Sequence, residues 1–235
     1  MRPLPLAGLR VLDLTRLLPG PLASLHLADL GADVIKIEDT GAGDYARDAK
    51  SVYGDVNYFQ LINRNKRSLR LDLKQAAGVE VFMRLAGDAD VIIESFRPGV
   101  VDKLGVGYEA VSSINPKIVY CAITGYGQDG PYRERAGHDL NYLGYSGLLD
   151  QIGTQGGAPA MPNFQIGDLL GGSLTALVGI LAAIVDARAS GHGRYVDVSM
   201  TDAVFAHTLF PLLAVLGLGH ALPRGEDVLS GGLPC

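Results

Sequence analysis

The order of apolar and polar segments predicts an α/β fold, with an open and mainly parallel sheet carrying helices on both faces. Three observations lead there: six short apolar runs of strand character, helical patterns between them, and Gly- or Pro-containing turns at the junctions. The first run, LRVLDL (9–14), passes through a Pro-Gly-Pro loop into the helical ASLHLADLGA. The strand DVIKIE (33–38) follows, which completes a βαβ unit. RSLRLDL (67–73), VIIES (91–95), IVYCAITG (118–125) and YVDVSM (195–200) supply the remaining strands, separated by helical patterns such as AAGVEVFMRLAGD. Runs this apolar are expected where both faces of a sheet are covered. The polar stretch 40–57 and the segment GYGQDGPYRERA (125–136) read as loops. Loops at strand ends are where such sheets bind ligands.

Bulk properties exclude several functional classes. With 235 residues, 48% hydrophobic and 19% charged, the chain can bury a sizeable core and is not disordered. A net charge of -5 offers no basic excess for a nucleic-acid backbone. The two cysteines, Cys121 and Cys235, do not suggest a disulfide framework, and a reducing cytoplasm fits them. The N-terminal segment lacks the pattern of a secretory signal. Residues 169–185 carry no charge over nearly the length of a minimal membrane span, but their Gly and Ala content is read as a helix buried in an α/β core. No membrane association is expected. The first strand is followed by TRLLPGP, which is neither a dinucleotide fingerprint nor a phosphate loop, and no His or Cys spacing suggests a metal site.

Candidate chemistry therefore rests on isolated polar residues. Of the five histidines, His26, His192, His207 and His220 fall on helices or turns where a surface or structural role suffices. His138 stands apart, because AGHDLNY follows a Gly-rich loop, places Asp139 beside it and precedes a helix start. Asp168, in QIGDLLGG, heads the uncharged helix, where a plain N-cap and a tunable acid at the mouth of a drier site are both open readings.

Seven ordered segments carry a family resemblance: LAGLRVLDLTRLLPGPLASLHLADLGADVIKIE, NRNKRSLRLDLK, ESFRPGVVDKLGVGYE, YCAITGYGQDGPY, AGHDLNY, IGDLLGG and GHGRYVDVSM. Together they resemble the family III CoA-transferases, and AGHDLNY resembles the alpha-methylacyl-CoA racemase branch in particular. The resemblance implies a Rossmann-like large domain over residues 1–235, with the smaller second domain of the family apparently missing. It also implies a homodimer, interlocked in full-length relatives, and an acyl-CoA substrate with no permanently bound cofactor.

By the same resemblance His138 and Asp168 are the two proton-transfer residues. Inverting a 2-methylacyl thioester needs one group to remove the α-proton from one face and another to return it on the other. Coenzyme contacts are implied for Arg64, Lys66, Leu71, Asp72, Leu73, Lys74 and Arg97, and the thioester region for Gly137, Asp139, Leu140, Asn141 and Tyr142. Asp139 is a candidate to orient His138, and backbone N–H groups at the start of the helix after Asp168 are candidate donors to the thioester oxygen. Racemase relatives carry an Arg where this chain has Asp39. Two alternatives stand beside epimerisation: transfer of CoA between carboxylic acids through an aspartyl thioester on Asp168, and a fragment whose activity depends on assembly.

Overall fold

A computed structural model describes residues 2–48 and 57–231. Cys235 lies outside these residues, as do residues 49–56 of the polar stretch expected as a loop. Among the described residues six strands form one sheet: β1 (Arg10–Asp13), β2 (Asp33–Glu38), β3 (Lys66–Arg70), β4 (Val91–Glu94), β5 (Val119–Thr124) and β6 (Tyr195–Ser199). Their order is β3-β2-β1-β4-β5-β6 and every adjacent pair is parallel, so the mainly parallel sheet expected from the sequence is present. All six residues of β5 are buried, as a strand covered on both faces requires. β3 is an edge strand that stops at Arg70, short of the expected Leu73. Leu71 donates its N–H to the Glu38 carbonyl (2.8 Å), after which the chain turns away toward a helix.

Alternate strand residues point to two cores. On one face Val11, Val34, Ile93, Cys121 and Val198 pack with Ala23 and Leu27 of α1 (Pro19–Asp29) and Ala176, Ile180 and Ile184 of α8 (Thr175–Ser190). On the other, Leu12, Ile35, Ile92 and Tyr120 pack with Phe82 and Ala86 of α3 (Ala76–Gly87), Val101 of α4 (Val100–Lys103) and Val111 of α5 (Tyr108–Ile114). The short α2 (Tyr58–Asn63) precedes β3, while α6 (Asp139–Tyr145) and α7 (Leu148–Gln151) follow β5.

The helix covering Gly167–Ser190 is long and apolar enough to cross a membrane by length and composition. Here it lies against the sheet, with Val178 and Val185 on its opposite, exposed side, so only one face of the expected core helix is buried. After β6 come α9 (Met200–Ala206) and α10 (Leu209–Leu218), bent from each other by 68°. No residue of α10 is buried, and Leu213 and Leu216 are 63% and 74% exposed.

Charged groups are buried at the C-terminal end of the sheet. Asp13 accepts the hydroxyls of Ser24 and Thr15 (both 2.5 Å) and the Lys66 ammonium (3.2 Å). Lys36 donates to the Thr15 carbonyl (2.8 Å) and pairs with Asp44 (2.9 Å). Burial would raise the Asp13 carboxyl, yet Lys36, Lys66 and the two hydroxyls outweigh it and hold the group at about 2.

Glu94, which ends β4, has no such help. It is 2% exposed, and its Oε2 accepts the Phe96 N–H at 2.7 Å. Burial pushes it up from 4.5 to about 8, with the Phe96 N–H opposing and Asp102 and Asp197 adding to the rise. A raised acid favours folding below its unfolded value and loses that advantage as pH climbs toward its folded value, so Glu94 burdens the fold at neutral pH. Glu94→Gln keeps the acceptor and the shape. It is expected to stabilise the protein by about 3 kcal/mol at pH 7 and by almost nothing at pH 4. Urea unfolding at the two pH values measures this, and a gain independent of pH would mean that Glu94 is not protonated when folded.

Candidate active site

Strand order reverses between β1 and β4, and an open parallel sheet leaves a crevice beyond the carboxyl ends of its strands at that point. A cavity of about 310 Å³ lies there. Its wall combines Arg16 to Pro19 after β1, Ser95 to Pro98 after β4, Thr124 and Gly125 after β5, and Gly137, His138, Tyr142, Asp168 and Met200. Two residues 30 positions apart in sequence, His138 and Asp168, thus face one space.

Asp168 is carried in the first turn of a π-helical segment, Gly167–Leu174, that continues into α8. π-helical turns are rare and concentrate at functional sites. Small residues let this one pack closely: a Cβ on Gly171 would come within 2.7 Å of the Met200 carbonyl oxygen. Burial pushes the Asp168 carboxyl up to about 6, Asp139 adds to the rise, and His138 opposes it. An acid so placed changes charge close to neutrality, as a proton-transfer group needs.

His138 caps α6 from an extended backbone, donating its N–H to Asn141 Oδ1 at 2.9 Å while its side chain stays exposed toward the cavity. The approach to it is shaped by Tyr142, whose hydroxyl donates to the Gly137 carbonyl at 2.6 Å. A Cβ on Gly125 or Gly137 would fall 2.5 or 2.7 Å from the Tyr142 ring, which is why the connection from β5 to α6 carries a glycine near each end. Tyr126 packs edge-on against Tyr142 (5.5 Å between centroids).

One expectation is corrected. Asp139 does not orient His138; its Oδ1 accepts the Asp168 N–H at 3.0 Å, and the Gly167 N–H also points to it. This ties the head of α6 to the head of the π-helical segment. At the head of this helical segment the Gly167 and Asp168 N–H groups serve Asp139 and the Leu169 N–H serves the Gln165 carbonyl.

The residues expected around the coenzyme divide into two groups. Leu71, Asp72, Leu73 and Lys74 line a second cavity of about 480 Å³, together with Asp39, Thr40 and Tyr45, and Arg97 lines the first. Arg64 and Lys66 line neither. Arg64 pairs with Asp29 on the surface, and the Lys66 ammonium is buried against Asp13, the Pro21 carbonyl (2.7 Å) and Asn63 (2.8 Å), so its donors are already spent inside the fold. Asn141 serves as the partner of the His138 N–H, and Leu140 is 39% exposed beside it. Arg16, Phe96, Arg133 and Arg135 also line the cavities without having been singled out in the sequence. The one signal for Arg16 was its place directly after the first strand.

The fold and site define an α/β protein with a switch-point cavity holding a tunable acid and a histidine. Residues 6–230 match the family described as CoA-transferase family III, and the chain belongs to it. Over 204 residues it is 41% identical to succinyl-CoA:glutarate CoA-transferase of Mus musculus, covering 86% of this chain and 47% of that protein. Over 230 residues it is 38% identical to alpha-methylacyl-CoA racemase of Mus musculus, covering 97% and 56%. A crystal structure of a CAIB/BAIF family protein from Brucella suis superposes with a TM-score of 0.88 at 36% identity, covering 95% of this chain and 60% of that one. The chain spans about half the length of the curated relatives it matches.

Proposed function

We propose that residues 1–235 form the acyl-CoA-binding large domain of an enzyme that epimerises 2-methylacyl-CoA, with Asp168 and His138 exchanging the α-proton. The observation that carries this reading is that both residues line one cavity while Asp139 fixes their two segments to each other. In one direction the Asp168 carboxylate takes the α-proton and leaves an enolate. Protonated His138 then returns a proton to the α-carbon, and the reverse direction exchanges the roles. The charge on the thioester oxygen needs donors other than the Gly167 and Asp168 N–H groups, and the guanidiniums of the cavity wall supply positive charge nearby.

The test is incubation of the full-length protein with a 2-methylacyl-CoA in deuterated water, read by mass and NMR at the α-position. Deuterium uptake without an added acid, lost in His138→Ala and in Asp168→Ala, is the expected result. Absence of uptake from active protein would rule the reading out.

A second reading, CoA transfer through an aspartyl thioester on Asp168, is favoured by a different observation. Arg16, Arg97, Arg133 and Arg135 line the cavity with Asp168 as its one carboxylate among the described residues, a setting suited to an anionic acceptor. CoA appearing on an added carboxylic acid only when Asp168 is present would select it.

A further inference from the structure

The two cavities share two wall residues, Arg16 and Phe96. On the reading that an acyl-CoA occupies both, its linking arm must pass between these side chains. Arg16 is held there by contacts of its own: Nη2 lies 2.8 Å from Asp39 Oδ2, Nη1 donates to the Tyr45 hydroxyl at 3.2 Å, and its Cζ sits 5.3 and 5.6 Å from the Tyr45 and Phe96 ring centroids.

The backbone that presents Arg16 has little freedom. The Thr15 N–H donates to Asp13 (2.9 Å) and the Thr15 carbonyl accepts the buried Lys36 ammonium (2.8 Å). The Leu17 N–H donates to Asp44 (3.1 Å), and Leu17 itself sits in the left-handed region at φ 64°, a conformation that a branched apolar residue keeps only where its surroundings impose it. Motion at this point is therefore confined to the Arg16 side chain.

Asp39 is just as firmly placed, because its Oδ1 accepts the Gly41 (2.8 Å) and Gly43 (3.1 Å) N–H groups whether or not Arg16 is paired with it. The pair has side-chain exposures of 28% and 39%, and ion pairs that wet contribute little net stability. A phosphate offers a guanidinium a charge-assisted, two-point partner that is stronger.

We propose that Asp39 is an internal stand-in for a coenzyme phosphate on Arg16, so that acyl-CoA binding swings Arg16 from Asp39 to the ligand at the threshold between the cavities. Asp39 then competes with substrate, which sets affinity and favours release. Arg16 is a positioning residue in this scheme, since it holds the arm and leaves proton transfer to other groups.

Calorimetric titration of the full-length protein with CoA, repeated with pantetheine and with 3′-dephospho-CoA, tests this in a double-mutant cycle. Asp39→Asn, which preserves the Gly41 and Gly43 contacts, is expected to tighten CoA binding about tenfold, and Arg16→Ala to weaken it by at least that factor. In the Arg16→Ala background the Asp39→Asn change should have less than a twofold effect, and pantetheine, which lacks phosphates, should be indifferent to both. Retention of the Asp39→Asn gain with 3′-dephospho-CoA assigns the contact to the pyrophosphate, and its loss assigns it to the 3′-phosphate. Weaker or unchanged CoA binding by Asp39→Asn, or the same gain without Arg16, would overturn the exchange. No saturable CoA binding by the unaltered protein would instead remove the acyl-CoA reading on which it rests.

Discussion

Asp168→Asn is expected to slow α-proton exchange by about a thousandfold, within the range that a positioned acid-base group contributes, while leaving the protein folded. The substitution keeps the volume of the side chain but removes the one carboxylate that lines the 310 Å³ cavity among the described residues. Stability separates a chemical effect from an unfolding one. Because burial and Asp139 push the Asp168 carboxyl up to about 6, the folded state favours the protonated form, and ionising it at pH 7 costs stability. The amide carries no such cost, so the variant should be more stable at pH 7 by about 3 kcal/mol and by almost nothing once the pH falls below the unfolded value of 3.8. In the direction in which Asp168 is the base, unaltered protein should gain activity as pH rises through about 6, since only ionised Asp168 accepts the proton. Exchange at full rate in Asp168→Asn would sink the assignment.

Lys66→Met should have the largest effect on stability, a loss of about 3–5 kcal/mol, because removing one partner of a buried pair strands the other. Asp13 is 0% exposed and would keep Lys36, the Ser24 and Thr15 hydroxyls and the Thr15 N–H as compensation. Burial already pulls the Lys66 ammonium down to about 8, with Asp13 as the main opposing group and Asp44 adding to it. Denaturant unfolding gives the loss, and CoA affinity of the remaining folded molecules should match that of the unaltered protein. A variant of normal stability that has lost CoA would show the ammonium to be serving the ligand and not the fold.

Lys66 also shows where sequence reading reaches its limit. The motif NRNKRSLRLDLK resembles a coenzyme-binding segment as a whole, yet its members part ways in space: Leu71 to Lys74 reach the second cavity, while Lys66 turns inward to a residue 53 positions earlier. Asp139 was read as a neighbour of His138 because the two are adjacent, whereas its bond goes to a backbone 29 positions away. Arg16 lies within a motif of the family resemblance but was assigned no role there, because its place at the junction of the cavities exists only once β1, β2 and β4 are side by side.

The sequence by itself determined the strands and helices, the parallel sheet and the family, since each depends on local periodicity or on ordered motifs that survive without coordinates. It also singled out His138 and Asp168, but could not bring them together. The tertiary structure alone decided that they share a cavity, that Asp139 bonds the Asp168 backbone, and that Lys66 is a buried counter-ion. The physical reason is that charge and proton chemistry are set by burial and by partners within a few ångströms, and those distances are products of chain crossings that residue spacing does not encode.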